Sequence, residues 1–250
     1  AGTGLFTEKT RLGYHEPEEV GASPERLDVI ASIVEDGLEQ KAFPGCQVLV
    51  AKDGMIIYDK SFGYFSYDGK QPVEENSVYD LASSSKAAGT LLAVMKAYDE
   101  KKFTLNNKIS DFVPELKDSD KKNLLIKELL YHQSGLTPTI NFYLKAIDKD
   151  SYKGSLYSGA KNATHPVRFD AKTYVRNDFS FLPDLISNKK KPGFTTEVAR
   201  GMYLHDSFKD TIIQEIKDSR LGVRGKYKYS CINFILLKMM VEKQTGQPMD

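Results

Sequence analysis

The stretch CQVLVAKDGMIIYDKSFGYF limits what this chain can fold into more than any other. Asp53-Gly54 supplies the two left-handed positions of a tight hairpin turn, and β-rich runs flank it on both sides. The stretch spells an antiparallel pair. A lone two-stranded hairpin is marginally stable in water, and no run after residue 70 reads as a convincing strand. The hairpin therefore needs a cover of helices or partner strands beyond Asp250. The second is the expectation, with an unpaired strand edge left in this chain.

The rest of the pattern is helical. Ser23-Pro24 starts a helix, serine at the cap and proline in the first turn, and Leu27, Ile30, Val34 and Leu38 follow as one apolar stripe. Residues 87–98 repeat the pattern, with Leu91, Met95 and Tyr98 on one face. NLLIKELLYHQSGL predicts a shorter helix ended by Gly135. Organisation weakens between Thr137 and Lys226, where NKKKPG reads as a solvated loop and the second half of VARGMYLHDSFKDTIIQEIKDS as a helix. SCINFILLKMMVEKQTG predicts a buried helix closed by Gly246 and Pro248. Helix, hairpin, then many helices is an α+β chain.

Composition removes several function classes. Net charge is +1, from 35 basic against 34 acidic residues, so nothing points to nucleic acid or a membrane surface as partner. No apolar run approaches the ~20 residues of a membrane span. The opening AGTGLFTEKT lacks the basic and apolar regions of a signal peptide. His15, His132, His165 and His205 are scattered and no zinc motif or phosphate loop occurs, so neither a metal nor any other cofactor is expected. Cys46 and Cys231 are too few for a disulfide framework. Asn162-Ala163-Thr164 forms a glycosylation sequon that carries no weight here.

Ser83 and Lys86, in DLASSSKAAG, form an S-x-x-K pair at helical spacing, which turns both side chains to one side. At a helix N-terminus, beside Leu81 and Ala82, dipole and burial would both push the lysine towards a neutral amine able to take the serine proton. A serine in this place can equally be a plain helix cap. The string also recurs at Ser119, Ser158 and Ser187, in polar stretches that no apolar helix follows.

The run YDLASSSKAAGTLLAVMKAYDEKKFTLNNKISDFVPEL, followed by IKELLYHQSGL, resembles the serine β-lactamase and penicillin-binding-protein superfamily, and most of all its class C-like branch. FPGCQVLVAKDGMIIYDKSFGY is similar to that family's first hairpin, and YKYSCINFILLKMMVEKQTGQPMD to its second-motif helix. The resemblance spans about residues 20–136 and 225–250. It implies a β-lactamase/transpeptidase-like fold, an antiparallel sheet flanked by helices, with the C-terminal strands outside this chain. On this reading residues 1–22 are an extension or linker, and 23–250 a partial domain with a family-variable insertion at about 137–226.

The resemblance also implies roles. Ser83 would be the nucleophile and Lys86 its partner, with Tyr229 in the second motif. Tyr227 is a neighbouring tyrosine out of register. Cys231 stands where the family carries a substrate-binding asparagine, and a thiol lacks the amide's paired donor and acceptor. Leading an apolar helix, that cysteine reads as buried and structural rather than nucleophilic. His132 reads as structural too. The third motif, K-T-G or H-x-G, is not found after Cys231. Lys191-Pro192-Gly193 precedes Tyr229, and Lys243-Gln244-Thr245-Gly246 is one residue too long. The implied activity is a serine acyl hydrolase acting through an acyl-enzyme on β-lactams, D-alanyl peptides or small esters in the periplasm or cell envelope. Its implied partner is a small-molecule or peptidoglycan-like substrate, and this chain alone would turn over poorly. By analogy the full-length protein could carry a glycoside hydrolase module. The rival reading is a non-catalytic binding or scaffolding domain that keeps the fold.

Overall fold

The computed structural model describes residues 12–170 and 172–249, which divide after Leu81 into two compact units. Residues 1–11 of the expected extension lie outside the described residues.

In the first unit, helix α1 (Pro24–Glu39) begins where Ser23 accepts the Arg26 backbone N–H at 3.2 Å. Val34 is buried, with Leu27, Ile30 and Leu38 half-buried on the same stripe. The strand β1 (Gly13–Tyr14) pairs in parallel with β3 (Met55–Gly63), which pairs antiparallel with β2 (Gly45–Lys52) in the order β1-β3-β2. Asp53 and Gly54 take φ of 53° and 79°, the two left-handed residues this turn requires. Lys52 faces Met55, and a bulge at Val50/Ala51 breaks the ladder once. The outer edge of β2 has no strand partner among the described residues.

The second unit is built around α5 (Cys231–Thr245), capped by Ser230 and ended by Gly246 at φ 69°. Ile232, Leu236, Leu237, Met240 and Val241 on α5 meet Val94 and Ala97 of α2 (Leu92–Asp99) and Ile126 and Leu129 of α3 (Ile126–Leu130) in one apolar core. Ile216 of α4 (Phe208–Asp218) joins them. The buried face of α2 is thus Val94 and Ala97, not the expected Leu91-Met95-Tyr98 stripe, of which Met95 and Tyr98 are exposed. Both faces of this helix are apolar, so periodicity alone could not choose between them.

Two other expectations are corrected. The α3 helix stops at Tyr131 rather than at Gly135. His132 takes the left-handed position after the helix, at φ 52°, and donates its N–H to Leu129 O while Gln133 N–H reaches Glu128 O at 2.7 Å. That is a Schellman closure made without glycine. Gly135, at φ 77°, serves a close approach instead: a Cβ there would lie 2.6 Å from Gly222 O. Strands also occur after residue 70. Between residues 147 and 204 three small antiparallel sheets form, β4 (Ile147–Asp148) with β8 (Ser180–Phe181), β5 (Tyr157–Ser158) with β7 (Tyr174–Val175) and β6 (Val167–Arg168), and β9 (Ile186–Ser187) with β11 (Met202–Leu204) and β10 (Thr196–Ala199). Strands of two to four residues are too short for an alternation signal.

A buried lysine ties α4 to the loop before α3. Lys121, 1% exposed, donates from Nζ to Lys217 O at 2.7 Å and to Ser219 O, and pairs with Asp120. Methionine would fill the space but leave the helix-end carbonyls unpaired. Lys121→Met is expected to cost about 1–3 kcal/mol, seen as a lower denaturant midpoint at unchanged slope. An unmoved midpoint contradicts the assignment.

No helix among the described residues is long and apolar enough to cross a membrane.

Candidate active site

Ser83 sits in a 3-10 turn, Ala82–Ser84, at the head of the helical segment that becomes α2. The preceding Ala82 has φ 43°, a left-handed conformation that costs a β-carbon residue energy. Between the turn and α2, Lys86–Leu91 winds as a π-helix rather than the α-helix the sequence predicts. The small residues Ala87, Ala88 and Gly89 leave that wider turn uncrowded, and such turns recur at functional sites.

The second element comes from the other end of the unit. Tyr229 immediately precedes the α5 cap, and four hydrogen bonds pin this segment to residues 132–138. Lys228 N donates to His132 O at 2.8 Å, Ser230 N to His132 Nδ1 at 3.2 Å, Ser230 Oγ to Thr137 O at 2.6 Å and Cys231 N to Pro138 O at 2.9 Å. The HQSGLTP loop is therefore the shelf on which Tyr229 rests. Sequence reasoning marked HQSGL as structural but not as the support of the site.

These two elements bring the side chains together. Lys86 Nζ donates to Ser83 Oγ at 3.0 Å, and Tyr229 OH donates to the same oxygen at 2.9 Å. The Lys86 ammonium also stands 5.4 Å from the Tyr229 ring centroid. Ser83 is exposed and Tyr229 is 39% exposed, so the triplet faces an open surface. Tyr227, 72% exposed, does not reach Ser83 and instead lies edge-on to His132. The rival S-x-x-K serines are engaged locally: Ser119 donates to Leu116 O, Ser158 to Ala160 O and Ser187 to Lys189 O.

Electrostatics reverse one expectation. Burial pulls the Lys86 ammonium towards neutrality, but the hydrogen bond with Tyr229 and the proximity of Cys231 outweigh it. Its pKa lies above the ordinary 10.5. Lys86 is charged at neutral pH, not a free amine. The reason is local: Lys86 is only half-buried, so the loss of water around it is too small to outweigh those neighbours.

Cys231 is also relocated. Rather than a core residue it is half-buried, unpaired with Cys46, and near enough to Lys86 to help raise that residue's pKa. The core side of this turn is filled by Ile232 and Asn233. His132 makes no contact with Ser83 here; its ring lies on the Tyr229 ring, centroids 4.6 Å apart. Among the described residues no cluster of three or more metal-ligating side chains occurs.

With this geometry in view, comparison with known proteins becomes informative. The profile of the Beta-lactamase family matches residues 30–250. The chain belongs to the Beta-lactamase family. This β-lactamase-family chain is 26% identical over 191 residues to Protein flp of Staphylococcus aureus (strain NCTC 8325 / PS 47), covering 73% of this chain and 38% of that protein. It is 26% identical over 247 residues to an Escherichia coli (strain K12) protein that its name places provisionally among D-alanyl-D-alanine carboxypeptidases, covering 94% of this chain and 45% of that protein. A class C β-lactamase structure superposes with TM-score 0.55 at 19% identity, over 90% of this chain and 46% of that one. The D-alanine carboxypeptidase AmpC from Burkholderia cenocepacia gives 0.54 at 16% identity, over 90% and 45%. These superpositions establish the α+β β-lactamase-like fold. The chain spans under half the length of these relatives.

Proposed function

We propose that the protein carrying this chain is a serine acyl hydrolase that works through an acyl-enzyme on Ser83. One observation carries the reading: Ser83 Oγ lies within hydrogen-bond distance of both Lys86 Nζ and Tyr229 OH, at 3.0 and 2.9 Å. In the proposed step Ser83 Oγ attacks a substrate carbonyl carbon while its proton passes to the Tyr229 oxygen and the phenol's own proton passes on to the leaving group, so the bond to that group breaks and Tyr229 ends as the phenol it began. Water then releases the acyl chain from Ser83 as the acid. Negative charge arising along the Ser83–Tyr229 pair meets the Lys86 ammonium, which acts as a fixed charge rather than as the base. The Ser83 backbone N–H is the proposed first oxyanion donor. The second would come from outside this chain, so residues 1–250 alone are expected to turn over slowly.

The substrate class follows the relatives only as a proposal: D-alanyl peptides, β-lactams or small esters, met in the cell envelope. A fluorophosphonate probe, with peptide mapping of the labelled protein, tests the reading. The expected label falls on the peptide holding Ser83. Label on another residue, or none, overturns it and favours a binding domain that keeps the fold.

A further inference from the structure

His132 meets the Tyr229 segment through both its backbone carbonyl and its ring nitrogen. It occupies the left-handed position that closes α3, at φ 52°. Glycine or asparagine fills that position at less cost than a bulky side chain. Its ring is held on three sides, by Tyr229 at 4.6 Å, Phe234 at 5.5 Å and Tyr227 at 6.1 Å between centroids. A residue strained in this way and caged against the proposed proton carrier calls for a reason.

The hydrogen bonds fix its protonation. Nδ1 faces the backbone N–H of Ser230 at 3.2 Å, and a backbone N–H can only donate. Nδ1 therefore carries the lone pair and the ring proton sits on Nε2. Asn233 agrees. Its Nδ2 lies 2.9 Å from the same Nδ1, while its Oδ1 accepts the Ser134 hydroxyl at 2.6 Å. Ser134 Oγ in turn accepts Leu136 N–H at 3.2 Å, so its own proton is committed to Asn233. Ser134, Asn233 and Ser230 are 1%, 0% and 0% exposed, so none of these partners can turn to water.

We propose, resting on the acyl-hydrolase reading above, that His132 is a positioning residue: as the neutral Nε2–H tautomer it holds the Tyr229-Ser230 turn so that the phenol reaches Ser83. Protonation at Nδ1 sets a donor against two donors, Ser230 N–H and the Asn233 amide, both on fully buried residues. The turn must then move, and Tyr229 moves with it. The charged group acting on His132 is Lys86, from the nucleophile segment; Tyr227 and Tyr229 face it from the segment before α5, and Asn233 and Phe234 from α5 itself. Burial first, then the Lys86 ammonium, disfavour the imidazolium. The pKa lies below the ordinary 6.5. The sign follows. The folded chain keeps His132 neutral where a free imidazole would charge, so the site and its contribution to stability hold above about pH 6.5 and weaken as pH falls towards the depressed value.

Two measurements on the whole protein decide it. The first needs no turnover: NMR of isotope-labelled histidine and tyrosine, titrated from about pH 8 to about pH 5. The expected result is the Nε2–H tautomer, a His132 midpoint below 6.5, and Tyr229 ring signals that shift with that same midpoint. An Nδ1–H tautomer, or Tyr229 signals that ignore the titration, overturns the proposal. The second is the rate of Ser83 labelling by a fluorophosphonate against pH. Wild type should show an acid limb at the His132 midpoint. His132→Asn keeps an acceptor and suits the left-handed backbone, and it should lose that limb because an amide does not titrate. His132→Phe keeps the ring but strands both donors, and should label about ten- to a hundredfold more slowly. If the limb survives in His132→Asn, the positioning role is wrong. If wild type never labels at Ser83, the acyl-hydrolase reading fails, and the NMR titration still decides whether His132 holds Tyr229.

Discussion

Lys86→Met should slow acylation of Ser83 by about 10²–10³-fold, the usual loss when one preorganised charge or donor is taken from a developing anion. The methionine fills most of the lysine's volume, so α2 and the core beneath it should keep their stability. What disappears is the donor 3.0 Å from Ser83 Oγ and the charge beside the Tyr229 ring. Lys86→Arg separates the two possible roles. Arginine keeps the charge at every accessible pH but cannot serve as a neutral base. If Lys86 acts as a charge, arginine should recover part of the rate despite its different geometry. The pH dependence points the same way. The Lys86 pKa is raised above 10.5, so its stabilising charge is fully present below that value and is lost only as pH climbs through the higher folded value. Wild-type labelling measured towards alkaline pH should therefore not rise as the amine is freed. A rate that climbs with lysine deprotonation, with arginine as inactive as methionine, would restore the amine as the base.

How far the site could be read from residues alone depends on what kind of information each residue holds. The spacing of Ser83 and Lys86 is local, and a helical segment of any type brings i and i+3 together. Tyr229 lies 146 positions from Ser83, and only the resemblance to a family could pair them. The Asp53-Gly54 turn was legible because both residues must be left-handed, which few side chains allow. The charge state of Lys86 was not legible. It depends on how much water reaches the ammonium and on whether Tyr229 and Cys231 face it, quantities set by tertiary packing. The end of α3 was misplaced for a related reason. Sequence rules put glycine at a helix end, so Gly135 seemed the terminator, and the tightening of the turn at His132 left no pattern to find. The strands between residues 147 and 204 escaped because two to four residues are too few to show a period.

Cys231→Asn should shift substrate preference more than it shifts activity. The cysteine is the first residue of α5, next to the Lys86 ammonium, and asparagine is acceptable in the first turn of a helix. Peptides and many β-lactams carry an amide side chain next to the carbonyl under attack. An amide side chain at position 231 could meet it with a donor and an acceptor together; a thiol offers a weak version of each. A polar partner left unpaired as the site dries costs about 1–3 kcal/mol, or about ten- to a hundredfold in kcat/KM. A simple activated ester has no such side chain and asks only for Ser83, Lys86, Tyr229 and the oxyanion donors. The whole protein should therefore favour p-nitrophenyl acetate over a chromogenic cephalosporin. In Cys231→Asn the cephalosporin-to-ester ratio of kcat/KM should rise by about that same factor, with the ester rate changed little. Loss of the thiol near Lys86 also removes one of the groups that raise its pKa, so the alkaline edge of the ester rate should move down rather than up. A wild type that already prefers the cephalosporin, or a ratio that the substitution leaves unmoved, removes position 231 from substrate choice.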